Sequence, residues 1–283
     1  MGAATIPAFI VILNTYSLYY VHMQRDPDSH KGENGKVAIV GGSRHMHGAP
    51  LFSALAAEAS GVDLVFVALP ACHEEVAKAA SLNIQVHPFA GDDLEQQDAE
   101  PILELLATMD CAVLGPGIDH ANAESIEALK EIIEGASCHL VLDASALQPD
   151  TLSLLRGKKA VLTPHLGELE QMGIVPTNLQ RAAEESGAVI VLKGPTDHVV
   201  SPDGRAEEIS GGNAGLTVGG TGDVLAGLIA GLMAQQVEAY DASLVAVSIV
   251  QDAATHLFDE KGYAFTARDV IEMIPHLLKV DDA

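Results

Sequence analysis

Three glycines, a threonine hydroxyl and one carboxylate stand in a row at Gly219-Gly220-Thr221-Gly222-Asp223, the strongest chemical signal in the chain. Gly211-Gly212-Asn213-Ala214-Gly215 precedes it, and the uncharged run Val224 to Ala234 follows. Glycines open a backbone path closed to other residues. A helix starting directly after them presents free N–H groups and the positive end of its dipole to an anion. No Lys-Ser/Thr closes the motif as in a P-loop, so phosphate would be cradled by backbone without a Walker lysine. Asp223 is the only charged side chain within the motif and can accept a proton from an attacking hydroxyl while phosphate sits nearby. Helix capping is the plainer role for such an aspartate, but a cap requires none of the glycines upstream.

Other candidates follow short apolar runs, at the places where strands of an open α/β sheet deliver ligand contacts. Gly115-Pro116-Gly117 follows Leu114, Asp143 follows Leu142, and Thr163-Pro164-His165-Leu166-Gly167-Glu168 follows Leu162. Lys193-Gly194-Pro195-Thr196-Asp197 offers a cation to balance phosphate, and Gly41-Gly42-Ser43 opens a loop that reaches Gly48-Ala49. His165 alone reads as structural as readily as functional. His45 and His47 form a sparse pair with no third ligand in sight, so no metal ligand is assigned. Gly227 and Gly231, at helical spacing, read as close packing against the following helix.

The elements that must position these residues alternate strand and helix. Val37 to Val40, Leu51 to Ala59, Leu64 to Ala68, His73 to Ala80, Ala112 to Leu114, Glu124 to Glu134, Leu140 to Leu142, Ala160 to Leu162 and Val189 to Leu192 give that rhythm. The strands are apolar on both faces, so the expected fold class is α/β, a central mostly parallel sheet covered by helices on both sides. Val199 to Ser201 and Ala206 to Ile209 flank Pro202-Asp203-Gly204, a hairpin signal. Two long apolar helices, Thr221 to Ala234 and Asp241 to Phe258, are expected to close the fold.

No linker or repeat divides the chain, which predicts one domain over 25–283 after an apolar segment 1–24. Ile6 to Val21 is too short and polar to span a membrane and lacks the basic lead-in of a signal peptide, so it reads as a strand or helix packed on the domain or on a neighbouring subunit. Hydrophobic residues make up 48% and aromatics 4%, so the core must be aliphatic. With 15 Lys+Arg against 39 Asp+Glu, a formal net charge of −24, the chain would repel nucleic acid and anionic membranes, while a local backbone cradle still admits a nucleotide. Such acidity also fits a salt-rich cytoplasm. Cys72, Cys111 and Cys138 are odd in number and widely spaced, which predicts no disulfide framework or zinc knuckle and points to a reducing, cytoplasmic setting.

Taken in order, Ser29-His30-Lys31-Gly32, Gly41-Gly42-Ser43, Gly115-Pro116-Gly117, Leu142-Asp143-Ala144, Thr163-Pro164-His165, Leu192-Lys193-Gly194 and Asn213 through Asp223 resemble the ADP/ATP-dependent NAD(P)H-hydrate dehydratase family of the ribokinase-like superfamily, over about Asp26 to Leu278. The resemblance implies a repair reaction in which ADP or ATP phosphorylates the hydroxyl of hydrated NADH or NADPH, and loss of phosphate restores the reduced cofactor. It implies Ala49, Gly117, His165 and Asp223 as contacts to the hydrated cofactor, with Asp223 the catalytic base. Lys193, Gly194, Pro195, Thr196 and Asp197 are implied for the nucleotide, as is Gly222, with the Gly219, Gly220, Thr221 and Gly222 amides forming the anion hole. It further implies Mg²⁺, a separate epimerase as pathway partner and a homo-oligomer, with ADP favoured. Pro50, Ser145 and Leu166 depart from the family's usual loops and bear on substrate fit before reaction type. The alternatives are a ribokinase-like kinase for a vitamin precursor or sugar, and a non-catalytic nucleotide-binding protein.

Overall fold

Strands without a polar face are stable only when both faces are covered. In the computed structural model, which describes residues 10–13, 18–21 and 25–278, nine strands form one sheet in the order β11-β10-β9-β8-β7-β6-β3-β4-β5, the inner ones buried on both faces and the edge strand β11 largely exposed. They are β3 (Lys36–Val40), β4 (Leu64–Ala68), β5 (Ile84–Val86), β6 (Cys111–Leu114), β7 (His139–Leu142), β8 (Ala160–Leu162), β9 (Val189–Leu192), β10 (Thr196–Val200) and β11 (Ala206–Ser210). From β5 to β9 every neighbouring pair is parallel; β10 runs antiparallel to both β9 and β11. The expected hairpin is therefore the sheet's edge.

Alternate residues of each strand face opposite layers. Val37, Ile39, Val113 and Val141 enter the core under α1 (Gly48–Ala59), α2 (Glu74–Ala80), α8 (Thr221–Ala234), α9 (Ala239–Lys261) and α10 (Ala267–Leu278). Ala38, Val40, Leu114 and Leu142 enter the other core, under α3 (Ala99–Leu106), α4 (Ala123–Gly135), α5 (Thr151–Leu154), α6 (Leu166–Gln171) and α7 (Leu179–Ser186). The fold is α/β, as its apolar strands require. No helix among the described residues is long and apolar enough to cross a membrane.

Two expectations need correction. Gly227 and Gly231 pack against α1, not against the following helix: a Cβ would lie 2.1 Å from Ser53 O at the first and 2.1 Å from Ser60 Oγ at the second. Nor does α9 close the fold, because α10 follows it. Its buried residues Ala267, Val270, Ile271 and Ile274 keep helical spacing, and Asp269 accepts from Thr266 N at 2.7 Å at its start.

Within the apolar N-terminal segment, β1 (Ile10–Leu13) pairs antiparallel with β2 (Leu18–Val21). The rest of residues 1–24 lies outside the described residues.

Candidate active site

Sheet topology decides where ligand contacts can gather. The chain builds outward from β3 in one direction through β4 and β5 and in the other through β6 to β9, so β3 and β6 bound a switch point where the crevice opens at the strands' carboxyl ends. Gly41-Gly42 leave β3 there and Gly115-Pro116-Gly117 leave β6; Gly42 N–H donates to Pro116 O at 2.8 Å. Neither loop tolerates a side chain at the approach: a Cβ on Gly41 would lie 2.2 Å from Pro116 O. Gly115, at φ +111°, would place one 2.1 Å from Asp143 O. Gly117 stands over the first turn of α1, its Cβ position 3.2 Å from that of Ala49. Two of the expected substrate contacts are thus neighbours. Ser145 Oγ ties the Asp143 loop to Ile118 O at 2.6 Å, and Pro50 sits in the same first turn as Ala49.

The next strand ends supply charge. Asp143, after β7, is only 3% exposed, and its Oδ1 accepts from Lys193 Nζ at 2.7 Å and from Thr163 Oγ1 at 2.8 Å. Lys193, after β9, also lies 3.8 Å from Glu168 Oε2. Burial disfavours the Lys193 ammonium, but Asp143, Glu168 and Asp223 outweigh it and hold the pKa above the usual lysine value. His165 caps α6 in a reciprocal pair: its Nδ1 accepts from Glu168 N–H at 3.1 Å and Glu168 Oε2 accepts from His165 N–H at 2.7 Å. Its ring is largely exposed, and its backbone is bridged to Lys193 through Lys193 N–H and Pro164 O at 2.8 Å.

Onto this edge comes the start of α8. Gly220 adopts φ +101° with Phe52 where a Cβ would go, and the first intrahelical bond runs from Val224 N–H to Gly220 O at 3.0 Å. Helix geometry then leaves the N–H groups of Thr221, Gly222 and Asp223 aimed out of the helix end. The Thr221 hydroxyl is committed inward, donating to Leu216 O at 2.6 Å, so its main-chain N–H is what it offers. Gly219 has open space where its Cβ would stand. A Cβ on Gly222 would lie 3.4 Å from Lys193 Nζ and 4.0 Å from Asp143 Oδ2, so the lysine and the helix start share one small volume.

Asp223, half-buried on the first turn, is pushed up to about 7 by burial first, then by Asp143 and Glu168, with Lys193 opposing them. A carboxylate of that affinity beside a cation and the outward N–H groups of a helix start can take a proton from an alcohol while a phosphoryl group is held close. Its main-chain carbonyl accepts from Ser53 Oγ at 2.9 Å, which fastens α8 to α1.

Asp197 closes the loop after β9, its Oδ1 accepting from Gly194 N–H at 2.9 Å; Gly194 and Pro195 are exposed and Thr196 Oγ1 lies 3.0 Å from Ser210 Oγ. His47 stands apart, its ring 5.2 Å from that of His73. Asp143 and Glu168, both among the candidates that follow strands in the sequence although no ligand contact was assigned to either, lie beside Lys193, Asp143 directly after β7 and Glu168 on the first turn of α6. Phe52 and Ser53 left no signal in the sequence, because their contacts to α8 cross most of the chain.

Residues 37–276 match the family model described as NAD(P)H-hydrate dehydratase. The chain is 37% identical over 268 residues to an ADP-dependent (S)-NAD(P)H-hydrate dehydratase of Cenarchaeum symbiosum, covering 91% of this chain and 93% of that one. It is 38% identical over 258 residues to a bifunctional NAD(P)H-hydrate repair enzyme of Methanocaldococcus jannaschii, covering 91% of this chain but 50% of the relative. Among solved structures it resembles the ADP/ATP-dependent NAD(P)H-hydrate dehydratase of Bacillus subtilis, co-crystallised with ATP and Mg²⁺, at a TM-score of 0.75 and 27% identity, over 90% of this chain and 92% of that one.

Proposed function

The chain belongs to the NAD(P)H-hydrate dehydratase family, and from that premise we propose how its residues carry out the reaction. It is a lyase that uses ADP to restore hydrated NADH or NADPH to the reduced cofactor. The observation that carries the residue-level account is the meeting of Lys193 and Asp143 at Gly222, one residue before Asp223. In this account Asp223 removes the proton from the hydroxyl on the nicotinamide ring. The freed oxygen attacks the terminal phosphorus of ADP, and AMP leaves. The amides of Gly219, Gly220, Thr221 and Gly222 receive the charge that grows on the phosphoryl oxygens, and Lys193 balances it. The phosphate then departs with the C–O bond electrons as the ring nitrogen's lone pair pushes in. Loss of a proton from the neighbouring ring carbon restores the dihydropyridine.

Ala49, Gly117 and His165 would face the ring and its dinucleotide, and Lys193 to Asp197 the ADP. Among the described residues no three His, Cys, Asp or Glu side chains converge as a metal cage, and Asp143 Oδ1 is already taken by Lys193 and Thr163. That fits Mg²⁺ arriving on the ADP phosphates rather than a resident ion; when bound it would neutralise phosphate charge. The same reading takes 25–283 as the dehydratase domain, a cytoplasmic homo-oligomer as its working form and a separate epimerase as supplier of the reactive epimer.

Stoichiometry tests the proposal. Purified protein given hydrated NADH, ADP and Mg²⁺ should release NADH, AMP and inorganic phosphate in equal amounts. A stable phosphorylated product without free phosphate would instead mark a kinase.

A further inference from the structure

A buried glutamine joins the two segments assigned to the nucleotide. Gln251 lies within α9, is 5% exposed and is set among aliphatic residues. A buried amide in such a place is costly unless it is hydrogen-bonded. Its Nε2 donates to Asp197 Oδ2 at 2.7 Å and to Ile209 O at 3.2 Å. The first bond fixes the carboxylate whose other oxygen closes the Gly194–Asp197 loop; the second fixes β11, from which the glycine run departs.

That run passes directly over the amide. A Cβ on Gly211 would lie 2.8 Å from Gln251 Oε1, and one on Gly212 3.4 Å from Gln251 Cα. Three residues further along α9, Ala254 O accepts from Asn213 Nδ2 at 2.7 Å, while Asn213 Oδ1 accepts from Gly215 N–H at 2.8 Å. One helical turn of α9 therefore holds both the loop after Lys193 and the approach to Gly219.

We propose that Gln251 is a positioning residue for the nucleotide: it sets the affinity for ADP by holding Asp197 and the Gly211-Gly212 strand exit in register, without touching ADP or the reacting ring. The inference rests on the assignment of ADP to residues 193–197 and 219–222. The fixed loop presents Gly194 to Thr196 in one arrangement, so the ordering cost on binding is already met by the fold, while the Lys193 ammonium is held separately by Asp143. The hydrated cofactor, on the Ala49 and Gly117 side, does not depend on it.

Calorimetric titration with ADP, alongside steady-state kinetics, tests this. Gln251→Leu, of similar volume and without the donor, should weaken ADP binding about ten-fold and raise KM for ADP, with kcat and KM for the hydrate unchanged. Ser248→Ala, one turn earlier on α9 at a buried hydroxyl without a hydrogen-bond partner among the described residues, should bind ADP as the wild type does. Gln251→Glu sets two carboxylates face to face and should bind more weakly still, and adding Asp197→Asn to it restores a donor and acceptor and should recover part of the loss. This rescue keeps the test informative if Gln251→Leu does not fold. A wild type that binds ADP while Gln251→Leu binds it equally well, or losses of Gln251→Glu and Asp197→Asn, each measured singly, that simply add in the double variant, would overturn the inference alone. A wild type that binds no ADP would overturn the nucleotide assignment beneath it.

Discussion

A base that deprotonates an alcohol works best when its proton affinity sits near the working pH, and Asp223 is placed for that by burial and by Asp143, up to about 7. The expected profile of kcat/KM therefore rises with pH to a plateau with a midpoint near 7, well above an ordinary carboxylate; a midpoint near 4 would remove Asp223 from the role. The same shift works against the fold. Between 3.8 and about 7 the native state holds a proton that the unfolded chain releases, so this contribution to stability is complete at low pH and lost as pH rises through 7. Asp223→Asn should accordingly melt about 2–5 °C above the wild type at about pH 8 and level with it below about pH 4, while losing at least about 100-fold in kcat. Lys193→Met leaves Asp143 buried and unpaired, at an expected cost of about 3 kcal/mol in urea unfolding; a cost under about 1 kcal/mol would mean that the pair behaves like an exposed one. Asp223 could be read in the sequence because its glycines adjoin it. That Lys193 pairs with Asp143 could not, since the two lie fifty residues apart and only β-strand order makes their strand ends near neighbours.

At the scale of elements, the site depends on α8 lying against α1 with almost nothing between the backbones. Gly227→Ala would force a Cβ against Ser53 O, 2.1 Å away, and Ser53 also holds the Asp223 carbonyl. The variant should lose more than about 2 kcal/mol of stability and lower kcat as the helix start shifts. Gly219→Ala is the contrasting case: nothing occupies its Cβ position, so stability should change by less than about 0.5 kcal/mol while ADP binds more weakly, as measured by melting with and without ADP. The strand and helix rhythm of the parallel sheet was legible because apolar runs and their glycine-rich exits are local features. The partner of a helical glycine was not: spacing shows that Gly227 and Gly231 face something close, and α1 is that neighbour only because the sheet sets β3, the strand that leads into α1, beside β6, with α8 packed across both.

At the scale of the whole molecule, a formal charge of −24 belongs to a chain whose proposed site would receive phosphates. Self-repulsion of that size is screened by salt, so the melting temperature should rise between about 0.05 and 1 M KCl; a flat response would mean that the carboxylates are already balanced locally. Net charge and residue composition were open to sequence reading, as was the convergence of motifs on one sheet edge. The way α9 braces both the Gly194–Asp197 loop and the Gly211–Asn213 run emerges only from the assembled fold. All of this turns on whether the edge performs a dehydration. The most direct test is to give purified wild type and Asp223→Asn hydrated NADH with ADP and Mg²⁺ and to follow the near-ultraviolet absorbance of the reduced nicotinamide ring. Recovery with the wild type and none with the variant is the predicted result; no recovery with the wild type on ADP or ATP, or equal recovery with both proteins, would contradict it.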